Sequence, residues 1–406
     1  MMSDARKFLP LLLLYSGVVL AAGSNSLWAD ESHYVMFATN LSHGYYSPRD
    51  DVNLWYGPGY PLILLPFVLL NLPWLAAKLL NPLFLFTAAV YFYRTLRLYM
   101  RERQALFFSY ALGLYYPFLK YIYFLMTETL SVFLVCGFVF HFCRLYHDVE
   151  RPRLHLAAAS FYLGYLALTK VFFGYVIMTG LPLFLCLYLR KRKDTFRRPM
   201  AVYLLALLFC TPYLLYTYSL TGKIFYWGDS GGMSLYWMST PYENELGDWQ
   251  WMGSMLEHPD VYKEQMEFDR RLSRLPRVQR DEAYKRQALK NIVDHPVKYF
   301  RNWLANIGRL LFNYPYSYTS QKLSTYFYII PNMFLVVFGV ASIYPAFLRR
   351  RLIPREIYGL IIFGLIAFGG SSLLSAYNRQ FWPLVPVVIL WIAMVSTRVV
   401  RIELRQ

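Results

Sequence analysis

Charge is scarce in this chain. Only 16% of its 406 residues are Asp, Glu, Lys or Arg, against about a quarter in soluble domains, which excludes an ordinary water-soluble fold. Acids are scarcer than bases, 24 against 41. Cysteine is also sparse. Cys136, Cys143, Cys186 and Cys210 all lie in or beside apolar runs, with no CxxC and no Cys/His ligand spacing, so no cysteine metal site is signalled. No internal repeat and no low-complexity tract is visible, which counts against a transporter built from inverted halves.

What fills the chain instead is apolar. Hydrophobic residues make up 57%, aromatics 19%, and the mean hydropathy is +0.31. Runs long enough to cross a bilayer, about 20 residues each, recur from Phe8 to Val399. The clear ones lie near 8–23, 104–119, 121–143, 154–170, 171–189, 200–219, 326–347, 355–375 and 381–398. Arg6-Lys7 followed by Phe8 to Gly23 has the look of a signal peptide. With so many spans behind it, it reads as an uncleaved first helix. The net charge of +17 does not mark a nucleic-acid binder, because the polar stretch 221–322 is nearly balanced and the excess bases flank apolar runs.

Orientation follows from parity. The stretch 60–98 holds two apolar pieces interrupted by Pro73, Lys78, Asn81 and Pro82. If only one piece crosses, Arg97/Arg101/Arg103, Arg151/Arg153, Arg190–Lys193, Arg349–Arg351 and the tail arginines all fall on the cytoplasmic side, as the positive-inside rule demands. The expectation is an all-α polytopic membrane protein of about ten spans in the inner (plasma) membrane, both termini inside. Residues 60–75 then lie at the interface, and segments 24–75 and 221–322 face outward. Three regions result: a transmembrane module over 1–220, an outer loop domain over 221–322, and C-terminal helices over 323–406. Within the first outer segment, Tyr34, Phe37, Ala38 and Leu41 recur at helical spacing, and His43-Gly44 is a helix stop. In the second, Asp281–Arg309 reads as helix broken at His295-Pro296.

This topology gathers ionisable groups on the outer side. Asp30 and Glu31 follow the first span, Lys120 sits in a short turn, and Glu128 lies near the outer end of its span. Lys170 ends another span, and Arg379 precedes the last. Ionisable groups near hydrocarbon are costly and mark function by default. A carboxylate can remove a proton, and cations can hold an anionic lipid headgroup. Blander roles exist for each: Asp30 as a helix cap, Glu128 and Lys120 as a structural ion pair, Lys170 and Arg379 as snorkelling side chains. The aromatic wealth is mostly belt and packing material.

The order Asp30-Glu31-x-x-Tyr34-x-x-x-Ala38 after a first span resembles the GT-C glycosyltransferases, in particular protein O-mannosyltransferases and the bacterial lipid A aminoarabinose transferase (glycosyltransferase family 39 type). Similar stretches are Tyr56-Gly57-Pro58-Gly59-Tyr60-Pro61-Leu62, Tyr116-Pro117 with Thr127-Glu128-Thr129-Leu130, Leu168-Thr169-Lys170, Arg379-x-x-x-Pro383-x-x-Pro386, and Pro212 to Tyr236 with its Thr221-Gly222-Lys223 and Gly231-Gly232. The second motif departs from the aminoarabinose group, with Gly57 and Gly59 where a lysine and a proline are expected, and no MIR-type insertion is present. The resemblance implies a GT-C fold and an inverting transferase with a periplasmic (outward) active site, drawing on a polyprenyl-phosphate-linked sugar. Asp30 matches the catalytic base, with Glu31 its companion and Glu128 the further acid. Lys170, Arg379 and Lys120 become the candidates for the donor phosphate. Partners would be that donor, a lipid, glycan or protein acceptor, and membrane lipids. No cofactor or metal site is implied. A glycan polymerase or ligase of the same fold, and a lipid-linked sugar flippase, stand as alternatives.

Overall fold

The computed structural model describes residues 2–191, 194–319 and 321–399, and every regular element among them is a helix. In chain order the main ones are α1 (Leu9–Ala22), α2 (Asp30–Ser42), α3 (Gly59–Leu69), α4 (Leu80–Arg97), α5 (Glu102–Gly113), α6 (Thr127–His147), α7 (Pro152–Thr169) and α8 (Phe172–Lys191). They continue as α9 (Asp194–Thr221), α10 (Gly231–Met238), α11 (Arg277–Asp294), α12 (Pro296–Phe312), α13 (Tyr326–Ala341), α14 (Arg355–Ser372) and α15 (Val385–Met394). Among the described residues, six stretches are long and apolar enough to cross a membrane: Trp74–Arg97, Thr127–His147, Phe172–Lys191, Thr195–Thr221, Leu323–Leu348 and Asn378–Val399. The expectation of ten spans exceeds this by α1, α5, α7 and α14. Helix α1 has 14 residues, about 21 Å at the helical rise, short of a 30 Å core. Helices α5, α7 and α14 begin with charged residues, Glu102, Arg153 and Arg355-Glu356.

Local chemistry explains where the expected spans are cut. The run 104–119 stops at Gly113, whose carbonyl accepts the Tyr15 hydroxyl at 2.6 Å. The next span begins at Thr127 rather than 121. Residues 122–126 stay outside the helix because the Asn81 amide donates to the carbonyls of Ile122 (2.7 Å) and Phe124 (2.8 Å). The 60–98 stretch is two rods, parted at Asn71 in the left-handed region (φ 49°) and at Pro73. At about 16 Å, the 11 residues of α3 are too few to span. The expected helix after the first span is α2, stopped at Gly44 (φ 86°), and the break at His295-Pro296 separates α11 from α12.

Burial runs opposite to that of a water-soluble protein. On α13, Phe327, Ile330, Phe334, Val337 and Phe338 are each about half exposed, a face that only lipid would cover cheaply. Helix α12 is inverted. Its polar stripe Lys298, Asn302, Asn306 and Arg309 is buried, while Val297, Phe300 and Leu304 face outward. Backbone carbonyls satisfy most of the buried stripe: Asn302 donates to those of Met238 and Thr240, and the Arg309 Nη1 to those of Leu246 and Pro315, while the Arg309 Nε is buried without a partner among the described residues. Asn306 donates to the carbonyls of Ser372 and Leu374, which ties α12 to the end of α14 and to the turn that leads to Arg379.

Candidate active site

Two close backbone approaches bring the sequence motifs together. A Cβ on Gly57 would stand 2.1 Å from the Leu168 carbonyl oxygen, and one on Gly59 would stand 2.8 Å from the Thr169 amide nitrogen. Only glycine lets these segments meet, and the Tyr165 hydroxyl donates to the Gly59 carbonyl at 2.8 Å. The contact sets Tyr56 and Lys170, the neighbours of the two motifs, at the same end of the bundle.

Asp30 opens α2 behind Ala29, a non-glycine residue with φ 47°. Its carboxylate does not cap the helix. One oxygen lies 2.8 Å from the Arg379 guanidinium and the other accepts the Tyr56 hydroxyl at 2.8 Å. Glu128, in the first turn of α6, pairs with Lys170 at 2.9 Å, and its second oxygen is buried without a hydrogen-bond partner among the described residues. Lys170 lies within the electrostatic reach of Glu128, Arg379 and Asp30, and Arg379 within that of Glu128 and Asp30. The two pairs therefore form one cluster. Its outer pair is the accessible one, with side-chain exposures of 22% for Asp30 and 26% for Arg379, against 4% for Glu128 and 11% for Lys170.

Two sequence candidates lie apart from this cluster. Glu31 is fully buried. It pairs with Lys78 at 3.2 Å and accepts the backbone N–H groups of Leu125 (2.6 Å) and Trp28 (2.8 Å), so it ties the chain together and faces no open space. Lys120 sits 5.0 Å over the Tyr328 ring. The Asp30 carboxyl stands under opposing influences. Burial does push its carboxyl up, but the Arg379 charge and the Tyr56 hydroxyl outweigh it, and the net result lies below the ordinary carboxylate value. Tyr56 and Lys78 were missed. Tyr56 stood in the quoted Gly-Pro motif, and Lys78 showed only as an interruption of an apolar stretch.

The chain overlays on the oligosaccharyltransferase AglB from Archaeoglobus fulgidus, in complex with an inhibitory peptide and a dolichol-phosphate, with TM-score 0.51 and 13% identity, over 95% of this chain and 50% of that one. The apo form of the Archaeoglobus fulgidus oligosaccharyltransferase gives TM-score 0.52 at 13% identity, again over 95% and 50%. ArnT from Cupriavidus metallidurans bound to undecaprenyl phosphate overlays more loosely, at TM-score 0.46 and 13% identity over 96% of this chain and 77% of ArnT. The chain has the GT-C fold. It spans about half the length of the oligosaccharyltransferase. No family model matches the sequence, and no curated protein matches it.

On this GT-C scaffold the segments 24–75 and 221–322 meet at Asp229, beside the Arg277–Asp51 ion pair (3.6 Å) and the Trp55–Trp249 ring contact. Asp229 accepts the Leu54 N–H at 3.0 Å and its own N–H donates to the Leu54 carbonyl at 3.3 Å. Its other carboxylate oxygen is buried without a hydrogen-bond partner among the described residues. Burial pushes this carboxyl up to about 6. The folded state therefore holds the proton more tightly than the unfolded chain. The stabilisation is complete below the unfolded value and is lost as pH rises through about 6. A shift of about two units corresponds to about 3 kcal/mol. Glu245 moves the same way, up to about 7, also through burial. The melting temperature of the wild type should fall from about pH 4 to about pH 7, and Asp229→Asn should flatten that slope without abolishing it. Identical slopes in the two proteins would remove Asp229 as the titrating group.

Proposed function

We propose that this protein transfers a sugar from a polyprenyl-phosphate-linked donor to an acceptor hydroxyl at the outer face of the membrane, with inversion and with Asp30 as the base. The observation that carries the reading is the cluster itself. A carboxylate and a guanidinium, each about a quarter exposed, sit beside a buried Glu128–Lys170 pair at one end of a GT-C bundle. Asp30 takes the acceptor proton as the oxygen attacks the anomeric carbon. The carbon–oxygen bond to phosphate breaks on the opposite face, and its electron pair leaves with the polyprenyl phosphate. Fixed cations are what that growing charge requires, and Arg379 and Lys170 supply them. The regions 1–220 and 323–406 both contribute residues to the cluster.

The depressed proton affinity of Asp30 fits this chemistry if Arg379 is shared. A phosphate arriving at Arg379 draws the guanidinium from Asp30, and the carboxylate then becomes a better base under the influence of burial. Arg379→Gln should weaken donor use by roughly ten- to a hundred-fold, the worth of one charge-assisted contact. It should also move the acid limb of the pH–rate profile to higher pH, since the group that lowers the Asp30 value is gone. Lys170→Ala should weaken donor use similarly, with Lys120 the next candidate if both variants keep wild-type donor kinetics. The assay is transfer by purified protein from a polyprenyl-phosphate sugar. An acid limb that stays put would separate Arg379 from Asp30.

A second reading has one observation in its favour. The overlaid AglB is an oligosaccharyltransferase, so this chain is also suited to moving a whole lipid-linked glycan. The mass of the product decides between a single sugar and an assembled glycan.

A further inference from the structure

One cavity lies away from the Asp30 cluster. It has a volume of about 410 Å³ and is lined by Tyr146, His147, Thr195, Arg198, Arg355 and Glu356, with Pro354 beside them. Its place follows from α6. Glu128 stands in the first turn of that helix and His147 at its last residue, about 29 Å away at the helical rise. The cavity therefore opens at the opposite end of the bundle, where α6 ends and α9 and α14 begin.

Its walls have a distinct chemistry. Arg355 donates to the Thr195 hydroxyl at 3.1 Å, and the Arg198 guanidinium stacks 4.8 Å over the Tyr146 ring. Both arginines are exposed. The nearby carboxylates are engaged elsewhere. Glu356 is buried and takes hydrogen bonds from the Tyr99 hydroxyl (2.8 Å) and from His147 (2.8 Å), and Asp148 pairs with Arg144 at 2.7 Å. Among the described residues neither Arg198 nor Arg355 has an ion-pair partner. Two fixed guanidiniums facing one cavity match a phosphate, which each can grip through paired N–H donors. The volume lies within the range of small-molecule sites.

The setting selects the source of that phosphate. The cavity sits at the ends of membrane-length helices, where headgroups would lie, and basic pockets between helices at this depth suit anionic lipid headgroups. Leu352, two residues before Pro354, is about half exposed and continues the apolar flank that acyl chains would touch. We propose that this cavity binds the phosphodiester headgroup of an anionic phospholipid from the leaflet opposite the Asp30 cluster. The site is independent of the sugar-transfer reading and stands or falls without it.

Native mass spectrometry of the delipidated full-length protein tests it, with phosphatidylglycerol, phosphatidylcholine or inorganic phosphate added. Phosphatidylglycerol should bind in preference to phosphatidylcholine. The Arg198→Gln/Arg355→Gln variant should lose phosphatidylglycerol affinity by about ten-fold or more, and Arg198→Lys/Arg355→Lys, which keeps the charge without the paired donors, should fall between it and the wild type. Equal binding of the two lipids, or an unchanged glutamine variant, overturns the proposal. Displacement of phosphatidylglycerol by inorganic phosphate at similar concentration would reassign the site to soluble phosphate compounds and overturn the lipid assignment. A photo-crosslinking phosphatidylglycerol analogue on wild-type protein avoids any folding defect of the variants. Its adduct should fall on peptides containing Tyr146, Arg198 or Arg355, and an adduct confined to other peptides counts against the site.

Discussion

Asp30→Asn should fold and express near normally and lose about 10²–10⁴ of its transfer rate, the usual worth of a general base. The near-normal folding follows from what the side chain does. Asp30 makes no cap to its own helix, so no capping energy is at stake. Its amide replacement is the same size and retains an oxygen for the Tyr56 hydroxyl or for Arg379, the two groups at 2.8 Å in the wild type. The ion pair is partly open to solvent, and such pairs are worth about 1 kcal/mol at most. What asparagine cannot do is accept the acceptor's proton. A purely structural role predicts activity within a few-fold of wild type, whereas a chemical role predicts the large loss with an unchanged melting temperature. Full activity in a well-folded variant would end the assignment and turn attention to Glu128, whose second oxygen is buried without a hydrogen-bond partner among the described residues.

Much of the frame was legible because it is local. Helical spacing of Tyr34, Phe37 and Ala38, the stop at Gly44 and the break at His295-Pro296 are short-range signals, and each appears where the pattern puts it. The gathering of Asp30, Glu128, Lys170 and Arg379 was legible from topology, since helix ends on one side of a membrane must share a layer. Pairing within that layer was not. Which carboxylate meets which cation depends on glycine contacts at Gly57 and Gly59 and on the turn that presents Arg379, and neither leaves a periodic trace. The sign of the shift at Asp30 was hidden for the same reason. Burial alone raises a carboxyl, and only the arrival of Arg379 from the far end of the chain reverses it. Lys78 was invisible because a lysine inside an apolar run reads as an interruption until its partner is known.

That hidden lysine leads to the largest expected effect on stability. The Glu31–Lys78 pair is sealed from solvent, at 0% and 2% side-chain exposure. Each member does further work: Lys78 donates to the carbonyls of Ser24 and Ser26, and Glu31 accepts the N–H groups of Leu125 and Trp28. The pair thus pins the loop before α2 and the turn before α6, and those two segments deliver Asp30 and Glu128. Removing one partner strands the other charge in a medium that cannot solvate it. Glu31→Gln or Lys78→Met alone should therefore cost about 3–5 kcal/mol. The double variant Glu31→Gln/Lys78→Met should be less destabilised than the sum of the two. No charge is then stranded, although the carbonyls of Ser24 and Ser26 lose their donor. Denaturation of all four proteins in one detergent closes the cycle. Among molecules that remain folded, Glu31→Gln should lose far less activity than Asp30→Asn. Wild-type stability with activity as low as that of Asp30→Asn would instead make Glu31 a participant in the chemistry. Additive costs would show that its two backbone contacts, and not the pairing with Lys78, hold the site in place.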